Sequence, residues 1–213
     1  MGKQNSGING PFTGKVGTAV GVVLNGTAVV RSRPVKRTKP FSRAELAQQA
    51  RFRLMSAFLS NSMTLLNITF KNIAIRMTGF NKAYSYNVKN AITGQFPNLT
   101  IDYSMVLMSR GDLPGTESVR FISPESGLLE FNWADNSGKG LARETDKVFI
   151  AIHSEKNMNW IHKINVANRN AGAVKLNIPQ FKGERVHGYL GFISEDEKEV
   201  SDSRYLGALD LAN

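Results

Sequence analysis

The chain has 213 residues, 41% hydrophobic and 21% charged, with 19 Gly, 7 Pro and no Cys. That is the composition of a globular protein large enough to bury a core, which excludes wholesale disorder and collagen-like repeats. Without cysteine there are no disulfides, thiolate metal sites or cysteine nucleophiles, which fits a reducing compartment. The net charge of +10 hides an uneven distribution. Up to Thr100 there are fourteen Lys and Arg against the single acid Glu45, a net +13. The remainder carries thirteen cations and sixteen acids, a net −3. One acid cannot neutralise fourteen cations by internal pairing. A polyanion is therefore the expected partner: nucleic acid, an anionic surface, or an acidic face of another subunit, the acidic C-terminal part of a second copy included.

The first fourteen residues lack the apolar run of a secretory signal. The apolar stretch 19–24 is interrupted by Gly21 and is too short to span a bilayer, so a soluble, cytoplasmic protein with no membrane partner is expected. Glycines at 7, 10, 14, 17, 21 and 26 punctuate the opening. They do not make a phosphate loop: Gly14-Lys15 is followed by Val16 where a hydroxyl is needed, and Asn9 stands where the first glycine should be. Close backbone packing in a strand-rich segment explains them better. Asn25-Gly26 between 20–24 and 27–30 is a hairpin signal, because both residues tolerate positive φ. An extended arm follows, with Arg31, Arg33, Lys36, Arg37 and Lys39 between and around Pro34 and Pro40. Arginines on such an arm can hold phosphates bidentately, so these five residues are candidate polyanion ligands.

Ser42 and Glu45 form a capping box that predicts a helix from Arg43 to about Leu59, with Ala47, Ala50, Leu54 and Phe58 on its buried stripe. Arg43, Arg51 and Arg53 lie off that stripe and extend the candidate basic face. From Met63 to Met77 the apolar spacing fits helix or strand, and helix is favoured. Phe80, Ala83, Tyr84, Val88 and Ala91 predict a further helix capped by Gly94. Tyr84 and Tyr86 could stack on bases, although helical spacing assigns Tyr84 to the core. Alternation at Leu99, Ile101, Tyr103, Met105 and Leu107 predicts a long strand. The turn-rich stretch 110–115 follows, with an Arg110-Gly111-Asp112 tripeptide better explained by a turn than by adhesion.

Beyond it, seven short strands are expected at 118–122, 128–134, 147–153, 160–166, 174–178, 187–194 and 203–209, separated by Gly, Asn, Asp and Pro clusters. Trp133 would anchor the core, faced by Tyr189 and Phe192. The predicted fold is α+β: a basic hairpin-plus-helical domain over residues 1–114 and an antiparallel β-sandwich over 115–213. By strand count and aromatic placement the second part resembles a fibronectin type III or immunoglobulin-like module. No chemistry declares itself. His153, His162 and His187 lack metal-site spacing, and no nucleophile elbow occurs. No catalytic residue, cofactor, metal or small-molecule substrate is expected. The acidic run 195–199 reads as a solvated hairpin tip, or as a surface that docks on a basic face.

A set of short motifs resembles an uncharacterised family of proteins of about this length from Bacteroidota and their phages. They are Gly10-x-Phe12-x-Gly14-Lys-Val-Gly17, Arg31-Ser-x-Pro34, Gln48-x-x-Arg51-Phe52, Phe80-Asn-x-Ala-x-Ser85-x-Asn87, Lys89-Asn-Ala-Ile92-x-Gly94, Ile101-Asp-Tyr-Ser104 and Ser109-Arg-Gly-Asp-Leu113. The resemblance implies no activity, but it favours a non-enzymatic structural or assembly subunit of a phage-like virion. Its basic half would contact nucleic acid or acidic neighbours. The alternative is a free-standing nucleic-acid-binding protein without sequence specificity.

Overall fold

The computed structural model describes residues 3–4, 10–24, 26–116 and 118–212. The chain divides into two units, Met1–Arg43 and Ala44–Asn213. In the first, β-branched residues separated by glycines build an antiparallel meander. Its strands are β1 (Lys3–Gln4), β2 (Phe12–Val16), β3 (Ala19–Leu24) and β4 (Thr27–Ser32), in that order across the sheet. The expected hairpin is β3–β4, with Leu24 opposite Thr27 and Gly26 at φ 80°. Asn25 lies outside the described residues. Gly21 has the packing role expected of it, since a Cβ there would collide with the Phe12 carbonyl. Four short strands by themselves can bury little. Among this unit's described residues only Gly21 is buried, and Val23, Leu24, Val29 and Val30 are exposed.

The second unit starts with α1, which spans Arg43–Leu59 as the capping box predicts. Its stripe is half-buried at Ala47, Ala50 and Leu54, and fully buried at Met55, Phe58 and Leu59. The helix expected over 63–77 is shorter: α2 (Met63–Thr69) is followed only by a 3-10 turn at Lys71–Ile73. The Thr69 hydroxyl lies within hydrogen-bond reach of both its own helix at Leu65 O and the Met108 carbonyl, 2.7 Å away. Helix α3 runs Gly79–Asn90, with Thr78 accepting from the Asn81 amide. Gly94 does not cap it. It lies in a hairpin of β5 (Ile92–Gln95) and β6 (Asn98–Ile101), where φ is +80° and the Asn98 carbonyl occupies the place a Cβ would take. The long strand expected over 99–107 also stops early. The Asp102 carboxylate accepts from the Ser104 amide and hydroxyl, and a 3-10 turn at Tyr103–Met105 replaces the extension.

All seven expected C-terminal strands are present: β7 (Val119–Glu125), β8 (Leu128–Trp133), β9 (Lys147–Ser154), β10 (Asn159–Asn168), β11 (Ala173–Asn177), β12 (Arg185–Ile193) and β13 (Arg204–Asp210). They form antiparallel sheets ordered β11-β8-β7 and β10-β9-β12-β13, a β-sandwich within an α+β protein. Leu129, Phe131, Trp133, Ile150, Leu190 and Phe192 fill the space between the sheets. The outer face of the four-stranded sheet is not solvated. Phe149, Ala151, Trp160 and Tyr189 pack there against Met55, Phe58, Leu66 and Phe70 of α1, α2 and the residue after it. Helices, four-stranded sheet and three-stranded sheet are thus three layers sharing one middle sheet.

This corrects two expectations. The boundary at 114/115 falls inside the second unit, because the helices and the sandwich bury one another, and the division comes at Arg43 instead. Tyr189 does not face Trp133. Three residues from Phe192 on a strand, it points to the opposite side, toward Trp160, while Phe192 meets Trp133 edge-on at 6.4 Å.

Candidate polyanion-binding site

Redrawn at Arg43, the charge map is sharper. Residues 1–43 contain eight Lys and Arg and no acid, whereas 44–213 carry nineteen cations and seventeen acids. Of the candidate ligands, Arg31 projects from exposed β4, and the Arg33 amide donates to Thr18 O at 2.7 Å before the chain runs on without regular structure to Ser42. Arg31, Arg33, Lys36, Arg37 and Lys39 are all exposed. Arg37 turns back on its own segment. Its guanidinium donates to the carbonyls of Lys39 (2.8 Å) and Pro40 (3.2 Å) and lies 4.5 Å from the Phe41 ring centroid. A hollow of about 490 Å³ opens beside Arg33 and Lys36, walled by Thr18, Ser32, Pro34 and Val35.

Arg43 opens α1, while Arg51 and Arg53 belong to the second unit. Two residues apart on a helix, these last two point to opposite sides. Arg53 is exposed. Arg51 is half-buried and donates to Val88 O at 3.0 Å, satisfying a carbonyl in the last turn of α3. It is not off the buried stripe, as expected above, but tied into the helix packing.

A second cationic feature escaped the sequence reading. Lys82 and Lys89 of α3 line a hollow of about 280 Å³ together with Arg110, with Phe70 and Ile73 as its apolar part. Their seven-residue spacing was legible as one helix face; the contribution of Arg110 from a distant loop was not. The Arg110-Gly111-Asp112 tripeptide is built into the packing. Arg110 lies 5.0 Å from the Tyr86 ring centroid, the Gly111 amide donates to Asp202 at 3.1 Å, and a Gly111 side chain would strike the Val200 carbonyl. Tyr84, expected in the core, is half-buried at its margin, where it stacks on the exposed ring of Phe52 and donates to the Phe52 carbonyl at 2.7 Å.

Two of the three histidines, His153 and His187, pack among buried aromatics. His153 is fully buried against Phe58, Tyr103 and Trp160, and neither ring nitrogen has a hydrogen-bond partner. Burial, reinforced by His187, pushes its pKa down to about 3. His187 stacks on Tyr103 at 3.6 Å between the Tyr205 hydroxyl (2.8 Å) and the Glu155 carboxylate (2.6 Å). Burial lowers its pKa and Glu155 opposes the shift. Among the described residues, no three His, Asp or Glu side chains are grouped so as to hold a metal ion.

The second unit's strand layers form a three-plus-four antiparallel sandwich with Trp133 buried in its core. Similar solved structures include the fn3 domain of human collagen alpha-1(XX) chain (11% identity, 46% of this chain and 85% of that one, TM-score 0.36). The fn3 domain of human contactin 1 is another (10%, 57% and 94%, TM-score 0.35). A family 76 glycoside hydrolase from Bacteroides thetaiotaomicron is also similar, over 46% of this chain but only 20% of its own (11%, TM-score 0.37). The chain itself belongs to the family of unknown function DUF6266, whose profile matches residues 11–207. No curated protein sequence matches it. Among the described residues, no helix is long and apolar enough to cross a membrane.

Proposed function

We propose that the protein is a non-enzymatic structural or assembly subunit of a phage-like particle, whose basic N-terminal segment contacts nucleic acid or the acidic face of a neighbouring subunit. One observation carries this reading: the first unit is a four-stranded sheet that buries almost nothing, exposes valines on both faces and holds eight cations without an acid. A thin sheet of this kind is marginal in water by itself, and its edge strand is a template for pairing. A partner that covers Val23, Leu24, Val29 and Val30 and brings anions to Arg31, Arg33, Lys36 and Lys39 answers both demands. The phage-particle element follows from the resemblance of the motifs between Gly10 and Leu113 to proteins of Bacteroidota and their phages.

Light scattering coupled to size-exclusion chromatography, at low and high salt and with and without DNA, tests the proposal. Defined assemblies that form without DNA support it, and a strictly monomeric protein at high concentration overturns it. Replacing Arg31, Arg33, Lys36, Arg37 and Lys39 by Gln should also flatten the salt dependence of DNA binding. Each lost phosphate contact lowers the slope by about 0.9, so a drop of about 3 to 4 is expected, Arg37 being engaged with its own chain. Binding like that of the parent would remove the arm as the site.

A further inference from the structure

We infer that the hollow between α3 and the loop at Arg110 is a binding pocket for a phosphate group carried on a compact organic ring. This chemistry is shared by a free nucleotide and by the 5′-phosphorylated end of a nucleic-acid strand. The pocket goes beyond the arm-based reading, because every residue lining it lies in the second unit.

Helix geometry builds the first half of the pocket. Lys82, Tyr86 and Lys89 are at i, i+4 and i+7, so all three share one face of α3. The two lysines sit about 10 Å apart along the axis, at about 1.5 Å per residue, with the tyrosine ring between them. Arg110 arrives from the other side and lies 5.0 Å from that ring's centroid. Three cations therefore surround one aromatic, and no carboxylate lines the hollow.

The donors are unspent. Lys82 is half-buried, yet neither it nor Lys89 makes an ion pair among the described residues. Within the same residues, the Arg110 guanidinium and the Ser85 hydroxyl donate no hydrogen bond. The cation–π contact with Tyr86 holds the guanidinium at the hollow while its N–H groups donate to no protein acceptor among the described residues, so they are available to a phosphate. Like charges gathered without an anion repel one another, so an incoming phosphate relieves a cost that the empty pocket carries.

Size and lining name the rest of the ligand. The volume of about 280 Å³ falls just below the roughly 300–1,000 Å³ of most ligand sites, which limits the ligand to a small group. A single phosphate would leave the apolar side, Phe70 and Ile73, bare. A phosphate with the ring that bears it covers both: anion on the cations, ring on Phe70 and Ile73.

Calorimetric titration of the full chain with adenosine 5′-monophosphate against adenosine, and with 5′-phosphorylated against 5′-hydroxyl pentathymidylate, tests the inference. The phosphorylated member of at least one pair should bind about tenfold or more tightly, as charge-assisted hydrogen bonds to one group imply. A preference confined to the mononucleotide identifies a free nucleotide as the ligand, and one shown by the oligonucleotide identifies a strand end. The preference should be lost in Lys82→Gln/Arg110→Gln and weakened in Lys89→Gln, which alters only an exposed side chain. It should persist in the arm variant, so failure of the pocket and failure of the arm give different results. Equal binding within both pairs, or a preference that survives Lys82→Gln/Arg110→Gln, overturns the assignment.

Discussion

His153 offers the most direct test of how the middle sheet is packed. Its imidazole is 0% exposed, both nitrogens lack partners, and its pKa is pushed down to about 3. In the unfolded chain the same group titrates near 6.5, so on acidification the unfolded state binds a proton that the native state refuses. Stability from this group is complete above pH 6.5 and is lost as pH falls from there toward 3. Between pH 7 and pH 5 the loss is about 2 kcal/mol, at 1.36 kcal/mol per pKa unit. His187 and His162, whose pKa values burial also lowers, add losses of the same sign. The perturbation is His153→Leu, a side chain of similar volume that needs no hydrogen bond. Urea titration at pH 7 and pH 5 should show the variant at least as stable as the parent at pH 7, since two unsatisfied buried nitrogens are gone. The pH-dependent loss should shrink by about 2 kcal/mol, and only the contribution of the other histidines should remain. If parent and variant lose stability in parallel between the two pH values, His153 is not the buried neutral base described here.

Two further substitutions probe the sandwich. Arg169 is fully buried, pairs with Asp146 at 3.0 Å, donates to Asn136 and Pro114, and lies 3.8 Å from the Phe192 ring centroid. Arg169→Met leaves the Asp146 carboxylate buried and unpaired, and should cost about 3–5 kcal/mol in denaturant unfolding; a loss below about 1 kcal/mol would show that the pair is dispensable. Gly191→Ala would place a Cβ 2.5 Å from the ring of Phe149, which is itself fully buried and cannot swing aside. A loss of about 1–3 kcal/mol is expected, largely restored by adding Phe149→Leu, and an additive double variant would contradict the contact.

What the sequence shows depends on how local the cause is. Helix α1 was legible to the residue because Ser42 and Glu45 mark its start with neighbouring atoms. The seven sandwich strands were legible because turn residues bound each one. The role of β12 was not. Val186, Leu190 and Phe192 serve one core and Tyr189 the other, so the strand shows no alternation from which to read a face. The same double burial hid the unit boundary, since contacts between Phe58 and Trp160 leave no mark in composition. Strand 99–107 failed where Asp102 captured the Ser104 amide, a side-chain bond that competes with the ladder. Of the candidate basic residues, exposure could be read for the arm. The inward turn of Arg51 could not, because its acceptor is on another helix.

The Trp160 indole donates to the Phe58 carbonyl, 102 residues earlier in the chain, at 2.6 Å. Synthesis runs at about 5–20 residues per second, so α1 leaves the ribosome roughly 5–20 seconds before the strand that completes it. During that interval Met55, Phe58, Leu66 and Phe70 have no sheet to lie on. For as long as it takes to translate the sandwich, the helical layer of this protein is a nascent apolar surface in need of shelter.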